Sequence, residues 1–147
     1  MTRIVDVAVH EVRVAVARAR VVRVAERVLR AEGVRDALLS IAFVSDREIA
    51  ALNWRHLRHR GPTDVISFGF APARAGGAVV GDVYIAPGVA RRNARQQRRG
   101  VREETLRLVV HGVLHVLGHD HPEGESRYDS PMWRRQERLL RSALAAA

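Results

Sequence analysis

The segment His111-Gly112-Val113-Leu114-His115-Val116-Leu117-Gly118-His119-Asp120-His121 sets three of its histidines at relative positions 1, 5 and 11. His111 and His115 are one helical turn apart, so on a helix both rings leave the same face. Leu108, Val109, Val110, Val113, Leu114, Val116 and Leu117 make that helix very apolar. Gly118 can end it and reverse the chain, which brings His121 back towards the pair. Three imidazoles converging on one point form a zinc site with a free fourth position, the catalytic kind rather than the closed structural kind. Two neutral imidazoles buried without partners would cost free energy, so the helix needs a metal or a polar network. His119 competes as third ligand, but the longer arc after Gly118 gives His121 more room to fold back. Asp120 either orients a ligand from behind or is a solvated loop carboxylate.

Working outward, the spacing predicts the histidine helix over Glu103 to Leu117. Before it, Pro87 suits the first turn of a helix that Gly100 should end. Ile4 to Val9 alternates as a half-buried strand. Ala15 to Glu32 has helical apolar spacing with Gly33 as a stop. Leu38 to Val44 reads as a buried strand. Ser45 and Glu48 form a capping box opening a helix through about Leu57. After the Gly61-Pro62 break come strands over Val65 to Phe68 and Val79 to Ala86, joined by a small-residue loop at Ala73 to Gly77. A polar loop over Pro122 to Pro131 precedes a last helix from Met132 to Ala145. This order implies an α+β fold: one domain over 1–147, a mixed sheet of about four strands covered by helices, and a zincin-like three-histidine metal site.

The chain has 147 residues, enough to bury a real core. Its first residues alternate instead of forming a secretory apolar segment, and no run reaches membrane-span length, so a cytoplasmic location with no membrane partner is expected. There is no cysteine, which leaves nitrogen and oxygen as metal ligands. The net charge is +9, and every basic residue except histidine is arginine. Planar arginine suits phosphate, and a strongly basic small domain favours nucleic acid or an anionic surface. Arg91, Arg95 and Arg98 recur at helical spacing beside Arg92, Arg99 and Arg102. They are the expected grip on a nucleic-acid backbone, with strong salt dependence.

The histidine spacing equals that of the long zinc-peptidase motif H-E-x-x-H-x-x-G-x-x-H. Gly112 stands where those enzymes carry their catalytic Glu. Without that general base, peptide hydrolysis is not the first reading.

The chain instead resembles the YbeY family of bacterial endoribonucleases, also described as rRNA maturation factors. The pattern H-G-x-L-H-L-x-G-Y-D-H matches His111 to His121 except at Val116 and His119. The likeness extends to Leu52-Asn53, Pro62-Thr63-Asp64-Val65-Ile66-Ser67-Phe68, Gly81-Asp82-Val83-Tyr84-Ile85, Glu104, Met132-Trp133 and Gln136-Glu137. It implies a single-strand-specific, metal-dependent endoribonuclease acting in 16S rRNA 3′-end maturation and ribosome quality control. It also implies one zinc ion per chain on His111, His115 and His121. Its partners would be rRNA, the small ribosomal subunit and ribosome-associated proteins.

The family often has an arginine where this chain has Leu57; Arg55, Arg58 and Arg60 are adjacent. Arg58 and Asp64 are thus the catalytic candidates beside the metal, with Asp120 and Glu123 as further carboxylates. Thr63, Asp64 and Ser67 either line the site or cap a turn. Met132 and Trp133 read as core of the last helix. Two other readings carry the same metal cage: a non-catalytic ribosome-assembly factor with a structural metal, and a zinc hydrolase of another substrate.

Overall fold

Alternating side chains build the first strand, β1 (Arg3–Val9), with Val5, Val7 and Val9 turned inward and Ile4 and Asp6 exposed. The computed structural model describes every residue except 71, 73, 74 and 147. β1 pairs in parallel with β2 (Ala37–Phe43), which pairs in parallel with β4 (Val79–Ile85). β3 (Val65–Phe70) lies antiparallel on the far side of β4, giving a mixed sheet of order β1-β2-β4-β3. The expected loop at Ala73 to Gly77 falls partly outside the described residues.

Helix α1 (Arg18–Ala31) buries Val21, Val24, Ala25, Val28 and Leu29, the i, i+3, i+4, i+7, i+8 stripe of an amphipathic helix. α2 (Asp46–Leu52) is capped by Ser45 Oγ, which accepts from the Glu48 amide at 3.1 Å. The Glu48 carboxylate does not close the capping box; it pairs with His10 Nδ1 at 3.3 Å, tying the end of β1 to α2. The helix expected to run to Leu57 widens at Asn53 into a π-helical turn over Asn53–Leu57, which ends at Arg58 in a left-handed conformation. Buried Asn53 holds that turn by donating from Nδ2 to Gly61 O at 3.0 Å.

α3 (Pro87–Gln96) stops before Gly100. Arg98 adopts φ 53°, and the amides of Arg98 and Arg99 bond to the carbonyls of Arg95 and Ala94. That is a Schellman ending with arginine at the left-handed position. Gly100 instead precedes α4 (Val101–Val116) in extended conformation.

α4 packs against α1, α3, β3, β4 and α5 (Pro131–Ala145). It is therefore buried on nearly all sides, which explains its weak polar face. Position 112 faces the sheet. A Cβ there would lie 2.5 Å from Val83 Cγ1 and 3.2 Å from Ser67 Oγ, and that hydroxyl donates to Gly112 O at 3.0 Å. Glycine lets α4 approach β4 this closely, and no side chain fits in the gap. A smaller cluster of Ala42, Val44, Ile49, Ile66 and Ala86 packs with Leu52, Phe68 and Tyr84, apart from the main core.

Candidate metal centre

The end of α4 decides the site. Gly118, at φ 97°, donates to His115 O, and His119 donates to Leu114 O, both at 3.0 Å. This Schellman closure turns the chain back over the last helical turn. The His111, His115 and His121 rings then stand with centroids 4.6, 5.1 and 5.0 Å apart. One nitrogen from each lies within 4.8 Å of the others, a spacing that could hold a metal ion. His119 points away: its Nε2 pairs with the Glu32 carboxylate, which also accepts from Arg135 Nε at 2.9 Å. Asp120 Oδ1 accepts from the His121 amide at 2.9 Å and Asp120 lines the same cleft.

Hydrogen bonds fix which ring nitrogens are free. Gln136 Nε2 donates to Glu137 Oε2 at 3.0 Å, so Gln136 Oε1 faces His111 and accepts from its Nδ1 at 2.6 Å. His121 Nδ1 donates to Pro122 O at 2.8 Å. Both rings therefore keep Nε2 as the lone-pair nitrogen, the arrangement of a supported metal ligand.

The support continues inward. Arg107 donates to Glu137 at 2.9 and 3.0 Å and to Glu104 at 2.8 Å, and Arg99 lies 3.7 Å from Glu104. Burial alone would raise the Glu137 pKa, but its bonds with Arg107 hold it below the usual carboxylate range. Replacing Gln136 by leucine keeps the volume and removes the acceptor; zinc affinity is expected to fall about 10- to 100-fold. Competition with a chelating dye checks this, and unchanged affinity would show that Gln136 does not orient the ligand.

Burial pushes the His111 pKa down to about 4 and also lowers that of His115. Neutral rings are what a metal requires. For the metal-free protein the sign follows from linkage. Between the ordinary histidine value of about 6.5 and the lowered one, the unfolded chain binds more protons, so stability rises with pH. Metal-free protein should lose denaturant resistance as pH falls from about 6.5 towards about 4. His111→Asn should flatten that dependence in urea melts.

Asp64 lies in the cleft with Thr63, Ser67 and the three histidines, and accepts from Asn93 Nδ2 at 3.3 Å. Burial raises its pKa. Leu57 lines this cleft as well. Arg58 does not; it and Arg60 sit over the Trp54 ring at 5.6 and 5.3 Å. Nor does the structure bring Arg91, Arg95 and Arg98 to the histidines. Arg91 donates to Arg13 O at 3.1 Å, Arg95 and Arg98 are exposed, and α3 with its cap presents Asn93 and Gln97 to the cavity beside His111.

Sequence reasoning from the residues alone missed Gln136 and Arg107, the chain of support behind His111. Gln136 left a signal, since it interrupts the apolar register of Met132, Leu139, Leu140 and Ala143 and is buried with them. A buried amide implies a partner.

The family model described as Endoribonuclease YbeY matches residues 6–143. A relative named Endoribonuclease YbeY from Aquifex aeolicus is 37% identical over 123 residues, covering 84% of this chain and 81% of that one. Another of that name, from Pelotomaculum thermopropionicum, is 40% identical over 124 residues, covering 80% of each. Among solved structures, the solution structure of a Thermotoga maritima protein superposes with a TM-score of 0.61 at 22% identity. It covers 95% of this chain and 89% of its own, a likeness of fold.

Proposed function

This chain belongs to the Endoribonuclease YbeY family, and on that premise we propose a zinc-dependent, single-strand-specific endoribonuclease acting in 16S rRNA 3′-end maturation and ribosome quality control. The observation that carries the reading is the convergence of His111, His115 and His121 at the end of α4. Their donor set suits zinc, one ion per chain. Zinc held there would polarise a phosphoryl oxygen and lower the pKa of water towards neutrality.

The chain's own residues then divide the work. Gln136 and the Pro122 carbonyl hold two rings in the ligating tautomer. Asp64, whose burial in the cleft raises its pKa, suits a general acid–base role. Arg58, packed on Trp54 outside the cleft, suits a contact with RNA beyond the cut. Arg91, Arg95 and Arg98 suit flanking backbone phosphates, with salt-dependent affinity. The natural partner is rRNA in the small ribosomal subunit, with ribosome-associated proteins, in the cytoplasm. Among the described residues no helix is long and apolar enough to cross a membrane.

The test is cleavage of single-stranded rRNA by metal-free protein, with and without added zinc. Cutting restored by zinc supports the reading, and a 2′,3′-cyclic phosphate end would exclude direct water attack as the first step. One observation favours a second reading. The His111–Gln136 bond joins α4 to α5, as a structural metal in an assembly factor would require. Protein that binds zinc and RNA yet never cuts would move the conclusion there.

A further inference from the structure

Arg127 lies in the 3-10 turn Gly124–Asp129 that follows His121. It lines each of three cavities that touch the histidine centre. One holds all three histidines with Asp64; a smaller one holds His111, His121 and Gln136; a third runs past His111 to Asn93, Gln97 and Arg99. No other arginine among the described residues lines the cleft that contains all three histidines.

Its guanidinium is steadied by aromatic neighbours. Nη2 donates to the Tyr128 hydroxyl at 2.8 Å and Cζ stands 4.9 Å from that ring's centroid. Trp133 on α5 meets the Tyr128 ring edge-to-face at 4.8 Å. Several other arginines are neutralised: Arg92 by Asp46, Arg99 by Glu104, Arg107 by Glu104 and Glu137, Arg135 by Glu32. Among the described residues no carboxylate stands within ion-pair distance of Arg127. A held but unneutralised guanidinium beside a metal-binding cluster is built for an anionic oxygen. Its planar fork matches phosphate in a bidentate way that lysine cannot.

We propose that Arg127 anchors the RNA phosphodiester at the metal centre and that Tyr128 is the positioning residue that aims it. This rests on the ribonuclease reading for the identity of the anion. The anchor acts in ground-state binding, so its loss shows in KM and Kd more than in kcat.

The experiment uses zinc-loaded protein at matched zinc content and a short single-stranded RNA, with Kd measured at several ionic strengths and kcat and KM measured in parallel. The variants are Arg127→Ala, Arg127→Gln, Tyr128→Phe and Arg138→Ala. The last removes the same charge from an exposed face of α5. Arg127→Ala and Arg127→Gln should each weaken RNA binding about 10- to 100-fold and reduce the salt slope by about 1. Tyr128→Phe keeps the ring and should raise KM roughly 2- to 10-fold with kcat held. Arg138→Ala should change little.

Equal effects of the Arg127 and Arg138 variants would overturn the anchor, even with wild-type cleavage intact. If wild type binds RNA but never cuts, and the Arg127 variants still lose binding beyond Arg138→Ala, the anchor stands and the nuclease reading falls.

Discussion

Replacing His115 by alanine is expected to abolish zinc-dependent RNA cleavage and to weaken zinc binding by more than about 100-fold, beyond the loss from a single supporting residue. The ring forms one corner of the triangle with His111 and His121 at the end of α4, and two remaining imidazoles do not close a tetrahedral site. Metal-free protein should melt within a few degrees of metal-free wild type, because a partly buried, desolvated ring is lost along with its packing. His119→Ala is the contrast. That ring pairs with Glu32 away from the centre, so the variant should keep its zinc and its activity. Zinc content after dialysis, read beside melting curves in chelator, checks both. A His115→Ala protein that retains one zinc per chain would move the ligand set to another residue.

The largest effect on stability is expected from Arg107→Ala. Arg107 is 6% and Glu104 5% exposed, and Glu137 shares the same guanidinium. Removing the cation leaves Glu137 without its ion-pair partner and Glu104 with only the more distant Arg99, in a poorly solvated place. Breaking a buried pair in this way costs about 3–5 kcal/mol, and at about 2–4 °C per kcal/mol for a chain of this size the melting temperature should fall by roughly 6–20 °C. Replacing Arg107, Glu104 and Glu137 together by apolar residues of similar volume should restore much of that loss. Thermal melts of the single and triple variants at neutral pH decide it. A small effect in the single variant would mean that water reaches Glu104 and Glu137 freely.

The architecture was legible where local chemistry speaks alone. Ser45 caps α2 by accepting from the Glu48 amide, although the Glu48 carboxylate turns to His10 instead of closing the box, and α1 buries the valines and leucine of its stripe. The histidine convergence was legible because an i, i+4 pair followed by a glycine encodes both a face and a reversal. What stayed hidden depended on neighbours. Arg98 rather than Gly100 takes the left-handed cap of α3, because the chain turns where α4 begins to pack. Of the expected arginine stripe only Arg91 and Arg95 lie on α3, Arg98 taking its left-handed cap; Ala90 and Ala94 seat the helix in the core, and that puts Asn93 and Gln97 at the rim of the cavity beside His111. Arg127 lies in a loop without periodicity, so only the folded chain puts it beside His111.

The close seating of Gly112 against Val83 has an evolutionary reading. The codon that separates this histidine pattern from that of the zinc peptidases lies at a position whose side chain would enter the helix–sheet interface. Inserting a glutamate there would not furnish a base; it would wedge α4 off β4 and displace the two histidines that the helix carries. A lineage passing between the two chemistries must first respace its layers, and the intermediates would hold metal poorly while it did so. The shared spacing of the histidines is thus no short mutational path, and a hydrolase on this scaffold would have to recruit its proton acceptor from the facing strand and loops that line the cleft.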